Sequence, residues 1–377
     1  MTAPPIGLYV HWPYCAQICP YCDFNVVRAR GREVEAEALG EAILADLEAQ
    51  AARLPPRRLV SVFLGGGTPS LMPPRLAARI VAAARRLWPG PDETEVTLEA
   101  NPTDAARFER FAEASVNRLS LGVQSLDDRE LAFLGRNHDG AGARAAIASA
   151  MANFPRVSVD LIYALPHQAP AAWGRALDEV AAMGVEHLSP YQLTIEPGTA
   201  FHRAVRRQVF APPPDDLAAT LFDTTQVTLE ALGFEAYEVS NHARGAAARS
   251  RHNLIYWRGE DYAGAGPGAH GRWTLAAGRH ATETPRGVMA YIDRVGAEGL
   301  SVALERLSPR EAAVERLLMG LRTDEGVAAA DLAPLAIPPA RIAELEGLVR
   351  LSDGRLTATA RGRPVLDRVI AELADAA

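Results

Sequence analysis

A chain of 377 residues, 48% hydrophobic and 23% charged, has the composition of an ordinary soluble protein, and at roughly 150 residues per domain it accommodates one large α/β domain with a smaller companion. A net charge of −7 argues against a general nucleic-acid binder, which needs clustered Lys and Arg, although a local basic patch stays open. No apolar run approaches the roughly 20 residues of a membrane span, and the start "MTAPPIGLYVHW" lacks the pattern of a secretory signal, so a cytoplasmic location is expected.

In chain order, six short β-rich stretches are separated by helix-patterned segments: "LYVHW" (8–12), "SVFLGGG" (61–67), "EVTLEAN" (95–101), "RLSLGVQS" (118–125), "VSVDLIYALP" (157–166) and "HLSPYQLT" (187–194). That alternation predicts repeated βα units and a parallel sheet. Leu39, Ile43, Leu44 and Leu47 fall on one face of a helix from Val34 to Leu47, which would cover the sheet. After the turn "APPPDD", a helix is expected through "LAATLFDTTQVTLEALGF", and 242–273 reads as loop, with Gly264, Gly266, Gly268 and Gly271. Beyond 306, helices in "SPREAAVERLLMGLR" and around "PARIAELEGL" precede two alternating runs joined by Asp353 and Gly354, a hairpin signal that suggests a winged-helix module.

Ligands of parallel α/β folds sit at the carboxyl ends of the strands. Those ends carry a cysteine loop after the first strand, "GGGTP" after the second, then Glu99, Gln124, Asp160 and Gln192. Some would serve as turn residues and caps, but six polar or glycine-rich ends in register point to a site. The cysteine loop holds every cysteine of the chain, Cys15, Cys19 and Cys22, in the spacing C-x3-C-x2-C. Three thiolates are one short of a closed zinc site or a fully ligated iron–sulfur cluster, so an open coordination position is expected. Zinc with a distant His as fourth ligand is the alternative.

The spacing, with Tyr21 just before the last cysteine, resembles the signature of the radical S-adenosylmethionine (SAM) enzymes. The resemblance implies a 4Fe-4S cluster held by Cys15, Cys19 and Cys22, with SAM chelating the fourth iron. It further implies that "GGGTP", with Gly66, Gly67 and Thr68, meets the methionine amino group, and that Glu99, Gln124, Arg136 and Asp160 contact SAM, joined by Tyr9, Tyr21 and Gln192. Carboxylates and an amide suit an ammonium and ribose hydroxyls, and the Arg136 guanidinium suits a carboxylate. The order of "LYVHWPYC", "GGGTPS", "SLGVQS" and "DLIYALP" is similar to the oxygen-independent coproporphyrinogen III dehydrogenase (HemN-like) group. What that implies is a partial (β/α)6 barrel over residues 1–300 and a HemN-like helical, winged-helix module over 306–377.

Within that group two departures bear on function. The dehydrogenase carries a fourth cysteine two residues past the third, where this chain has Phe24, and an N-terminal extension, where only fourteen residues here precede Cys15. "RHNLIYWRGEDY" contains H-N-x-x-Y-W as His252, Asn253, Tyr256 and Trp257, which resembles the hallmark of the HemW-type heme chaperone branch. The resemblance implies heme as ligand, His252 as candidate axial ligand with His242 and His270 as rivals, and heme-receiving respiratory proteins as partners. It also implies a homodimer favoured by cluster and SAM, and peripheral association at the inner face of the membrane. Arg244, Arg249, Arg251 and Arg258 stand as candidate partners of the propionates; the competing reading makes Tyr256 and Trp257 core residues and the arginines a solvated face. His11, beside the cluster loop, reads equally as a structural histidine. The runner-up function is the dehydrogenase. A remote third is a zinc-stabilised winged-helix protein that binds nucleic acid through Arg350, Arg355, Arg361 and Arg363.

Overall fold

The computed structural model describes residues 3–375. The six expected strands form as β1 (Pro5–Trp12), β2 (Arg58–Gly66), β3 (Glu95–Ala100), β4 (Arg118–Gln124), β5 (Arg156–Tyr163) and β6 (His187–Gln192), adjacent and parallel in that order. Six further strands complete the sheet: β7 (Glu235–Glu238), β8 (Asn241–Ala243), β9 (Asp261–Ala265), β10 (His270–Leu275), β11 (Gly278–Glu283) and β12 (Ala303–Arg306). The order is β12-β11-β10-β9-β1-β2-β3-β4-β5-β6-β8-β7, so the sheet is open at both ends. β9 lies parallel on the free edge of β1, a seventh parallel strand that the sequence pattern does not reveal, and β10, β11 and β12 extend that edge antiparallel.

Residues 242–273, expected as loop, are therefore mostly ordered elements, including the helix His252 occupies. The glycines that made the segment look loop-like are there for close approach: a Cβ on Gly264 would lie 2.0 Å from the His270 carbonyl oxygen.

Helices α1 (Glu33–Arg53), α2 (Pro74–Leu87), α3 (Gly140–Asn153), α4 (Pro170–Ala182) and α5 (Asp215–Ala231) follow the parallel strands. In α1 the spacing of Leu39, Ile43 and Leu47 buries all three completely, while Leu44 is only partly covered. Each contributes roughly 1.5–3 kcal/mol of transfer free energy. Helix α6 (Arg251–Trp257), capped by the Ser250 hydroxyl accepting from the Asn253 N–H, closes the amino-terminal end of the strands. Its His252 N–H bonds Glu95, the first residue of β3, and its His252 ring bonds Ser61 near the start of β2.

Past α7 (Val288–Glu298), the C-terminal unit packs α8 (Pro309–Gly320) and α9 (Leu366–Asp375) around its own apolar core, which includes Leu317, Val327, Leu335 and Leu373. Val349–Ser352 and Arg355–Ala358 pair antiparallel through Asp353 and Gly354, with φ of 51° and 72°. Two positive φ values match a type I′ turn, as the Asp-Gly signal demands. This unit clamps α6 and its surroundings: Arg258 pairs with Glu325 at 2.6 Å, Arg249 with Asp324 at 2.7 Å, and Arg316 donates to the Trp257 carbonyl at 3.0 Å.

Helix α1 is tied to the far edge through Asp46, fully buried and accepting from Gln50 Nε2, Tyr291 OH, Ser301 N and Ser301 Oγ at 2.7–2.9 Å. Asp46→Ala leaves those donors unsatisfied, at a cost on the order of 3 kcal/mol. The denaturant midpoint of the full chain should fall accordingly; an unchanged midpoint would show that water replaces the carboxylate freely.

Candidate functional site

The carboxyl ends of β1 to β6 open into a cavity of about 620 Å³ that reaches down to α6. The cysteine loop is its roof, held largely by backbone. Tyr14–Cys15 pairs with Val27–Arg28, Gly67 N donates to Trp12 O at 2.8 Å, and Thr68 N donates to Tyr14 O at 2.9 Å. The His11 ring bridges the Tyr9 hydroxyl (2.9 Å) and the Asn25 carbonyl (2.8 Å), and burial lowers its pKa, so it is a neutral pin for the loop. The glycines that follow β2 are sterically required. Gly66 sits at φ +114°, where a Cβ would come within 2.7 Å of the His11 ring, and a Cβ on Gly67 would lie 2.7 Å from Pro13 O and 2.9 Å from Cys15 Sγ.

All three cysteines line this cavity. Burial pushes the Cys15 thiol up to about 11, only partly offset by a hydrogen bond with Thr68, and raises Cys22 as well. Without a bound cation these groups are thiols, and metal binding must displace their protons. The Arg136 guanidinium faces the loop: Nη1 lies 3.2 Å from Cys19 Sγ, while Nη2 donates to Asn101 Oδ1 and Gly122 O. Its Nε is buried without a partner, a donor still available to a ligand. Among the described residues no three His, Cys, Asp or Glu side chains converge as the shell of a single metal ion. Three thiols on one short loop, facing a common cavity, fit a larger group that takes one thiolate at each of several corners.

The cavity also gathers every residue that the resemblance links to SAM: Tyr9, Tyr21, Gly66, Gly67, Thr68, Glu99, Gln124, Arg136, Asp160 and Gln192. Glu99 accepts from Gly66 N at 2.9 Å, yet burial, with Asp160 nearby, pushes its carboxyl up to about 8. Asp160, bonded by Ser120 Oγ at 2.9 Å, is raised by burial to about 6. Two desolvated carboxyls in one chamber favour a cationic ligand, which restores their charged form. Gln124, which lines the cavity, sits after a bulge with φ of 69°, a strained backbone at the carboxyl end of β4. Tyr21 packs on Phe201 with ring centroids 6.2 Å apart, and Gln192 is exposed at the end of β6.

The H-N-x-x-Y-W residues divide. His252, Asn253 and Tyr256 line the cavity from below, whereas Trp257 does not; it faces the C-terminal unit, with the Arg322 guanidinium 5.1 Å from its ring centroid. Its neighbour Arg258 is drawn to the same unit, which is why the short helix presents one half to the cavity and the other outward. The His252 ring is buried, stacked on Phe63 at 4.9 Å, and engaged at both nitrogens: Nδ1 with Ser61 Oγ at 2.8 Å and Nε2 with Tyr256 OH at 2.7 Å. Burial lowers its pKa to about 3. Of the rival histidines, His242 is buried beside Gln226 at 3.3 Å and His270 is exposed on β10.

The arginine group is also corrected. Arg249 and Arg258 are paired to the C-terminal unit, Arg251 donates to Glu93 O, Arg244 lies over the Phe234 ring, and none lines the cavity. In the C-terminal hairpin region, Arg355 is tied to Glu325 O and Arg363 to Ala236 O, so the basic cluster proposed for nucleic acid is partly absorbed by packing. Thr97, Arg118, Ser158, His187 and Ser189 line the cavity without having been singled out from sequence. Their signal was inward alternation: 118, 120, 122 and 124 on β4, 158 and 160 on β5, 187 and 189 on β6.

Two predictions follow from this geometry. Gly67→Ala should displace the cysteine loop and sharply lower the iron content after anaerobic reconstitution while leaving the circular dichroism spectrum intact; full iron incorporation would show that the loop tolerates a Cβ. Because the folded-state pKa of Glu99 is raised, its favourable neutral form is complete below the ordinary carboxylate range and is lost as pH rises through about 8. Ligand-free Glu99→Gln should thus melt close to the parent protein at pH 5 and several degrees above it at pH 9, and a difference independent of pH would contradict the burial account.

The family model for the radical SAM superfamily matches residues 9–180, and that for the HemN C-terminal domain matches 307–365. The chain is 36% identical, over 99% of its length and 96% of the relative's, to the heme chaperone HemW of Mycobacterium tuberculosis. It is 42% identical to the mitochondrial radical S-adenosyl methionine domain-containing protein 1 of Bos taurus, over 85% of this chain and 74% of that one. Among solved structures, coproporphyrinogen III oxidase (HemN) from Escherichia coli superposes with a TM-score of 0.81 at 20% identity, covering 98% of this chain and 90% of that chain, which shows a shared fold. With both domain models in place and a HemW matched from end to end, the chain belongs to the HemW-type family of radical SAM proteins.

Proposed function

We propose that the protein is a heme chaperone that carries a 4Fe-4S cluster on Cys15, Cys19 and Cys22 and SAM across the strand ends, binds heme, and passes it to client respiratory proteins. The observation that carries this reading is the near full-length similarity to a heme chaperone HemW. Phe24, 65% exposed at the mouth of the cavity, supports it, since the dehydrogenase has a cysteine at that place. The bound cluster would supply a one-electron reductant and an open coordination position. The chain's own part is to bind and orient: Gly66 and Gly67 let the backbone approach, Glu99 and Asp160 meet the ammonium and the ribose hydroxyls, and Arg136 offers its free Nε–H to a carboxylate. Glu99→Gln should weaken SAM binding at least tenfold by equilibrium dialysis, the opposite sign from its effect on stability; undiminished affinity would remove Glu99 from the site.

Heme ligation by His252 requires one ring nitrogen to be freed, Nε2 from Tyr256 or Nδ1 from Ser61, whereas His270 is already exposed. Heme titrations of His252→Ala and His270→Ala separate the two: loss of affinity and a shifted Soret band in His252→Ala are expected, and an unchanged spectrum would hand the role to His270. The second reading, oxidative decarboxylation of coproporphyrinogen III, is favoured by the shared HemN fold alone. Reconstituted protein incubated with coproporphyrinogen III, SAM and a reductant should release no carbon dioxide; turnover would establish the dehydrogenase. Dimer formation and peripheral contact with the inner face of the membrane belong to the same proposal. No helix among the described residues is long and apolar enough to cross a membrane.

A further inference from the structure

Below the level of Glu99 and Asp160 the cavity continues to the floor helix, and one row of polar side chains crosses four adjacent strands there. Thr97 on β3 is in register with Arg118 on β4, Arg118 Nη2 donates to Ser158 Oγ on β5 at 2.9 Å, and Ser158 is in register with His187 on β6. All four line the cavity and are at most 3% exposed.

The hydrogen-bond pattern fixes what this row presents. Tyr237 OH accepts from Ser250 N at 3.3 Å and lies 2.8 Å from His187 Nε2. Among the described residues Nε2 is the acceptor within reach of the phenol proton; with that proton on Nε2 the ring proton resides on Nδ1, which is buried with no partner. Ser158 Oγ already accepts from Arg118, which leaves its own proton to donate. Thr97 Oγ1 is likewise buried with no partner. Behind these donors stands the Arg118 charge, its other contacts being Ala248 O at 3.0 Å and Glu95 Oε2 at 3.4 Å. Glu95 does not line the cavity, and its Oε1 is taken by the His252 N–H at 3.0 Å. Buried donors left unpaired cost free energy, and several convergent ones beside a guanidinium match the paired oxygens of an anion.

We infer that Thr97, Arg118, Ser158 and His187 form a carboxylate-binding subsite at the bottom of the cavity, distinct from the residues assigned to SAM. It takes a small organic carboxylate, whose two oxygens bridge the donors of adjacent strands. Asp160, one inward position above Ser158, forms the acidic ceiling of the subsite and disfavours larger polyanions.

The test uses the full-length reconstituted protein, with and without SAM, titrated with sodium acetate against sodium chloride and sodium phosphate at constant ionic strength. Running both arms keeps the acetate result readable even if SAM fails to bind. A saturable rise in melting temperature with acetate is expected, with a shift of the His187 Nδ1–H proton resonance, and neither with chloride or phosphate. Because His187 also holds Tyr237, the variants are Thr97→Val, which has no intramolecular bond to lose, and Ser158→Ala. Each should weaken acetate binding at least fivefold. An equal response to chloride, a response that never saturates, or undiminished acetate binding in Thr97→Val would overturn the subsite and leave the row as a lining for water.

Discussion

The attachment of the cysteine loop to the first two strands is the constraint on which the rest of the molecule depends. The loop carries three thiols, and its position is set by backbone hydrogen bonds from Gly67 and Thr68, by the pairing of Tyr14–Cys15 with Val27–Arg28, and by the His11 ring beneath it. None of this works with a side chain on Gly66 or Gly67, because the space a Cβ would need is already filled by His11, Pro13 O and Cys15 Sγ. A parallel sheet then supplies five more strand ends at the same height, so Glu99, Gln124, Asp160 and Gln192, distant in sequence, converge on one cavity.

Such a cavity runs against stability. Glu99 and Asp160 are held where burial favours their neutral forms, Cys15 where it resists deprotonation, and Gln124 in a strained backbone. Those costs are recovered when a cationic ligand and a metal group enter, the familiar opposition between a stable fold and a prepared site. The surrounding structure resists the strain by packing: Ile6, Leu8 and Val10 of β1 and Leu59, Val62 and Leu64 of β2 are all fully buried. The C-terminal unit adds support from below. Hydrogen bonds run from Ser189 in the cavity wall to Asn241, on to Glu238, and to Arg322 of that unit. The floor helix is held to the same unit by Arg316 on the Trp257 carbonyl and by the Arg258–Glu325 pair just past its end.

How much of this was legible in the sequence depended on periodicity. The six central strands and α1 carried clean patterns, and the Asp353–Gly354 turn was named by its residues. The edge of the sheet was not: β9 and β10 carry Gly264 and Gly271 where their backbones nearly touch, Gly266 and Gly268 join them, and glycine in sequence reads as loop. At the site, cysteines and glycine-rich strand ends announced themselves by spacing. The H-N-x-x-Y-W segment was recognisable, but its burial was not, since one short helix turns His252 inward and Trp257 outward. Likewise, the arginines near it belong to ion pairs with Asp324 and Glu325, partners some 70 residues away that no local pattern could supply. The row from Thr97 to His187 went unseen because its members lie toward the starts of their strands, away from the carboxyl ends where a ligand is sought, and only register and the Arg118–Ser158 bond bring them together.

The central claim is that this cavity serves the handling of heme. The direct measurement is the rate at which heme moves from the loaded, reconstituted protein to the apo form of a heme-requiring respiratory protein, followed by the acceptor's own absorption spectrum. The account predicts transfer faster than from free heme, and its loss when Cys19→Ser prevents cluster assembly. Transfer no faster than from free heme, or unaffected by the missing cluster, would contradict it.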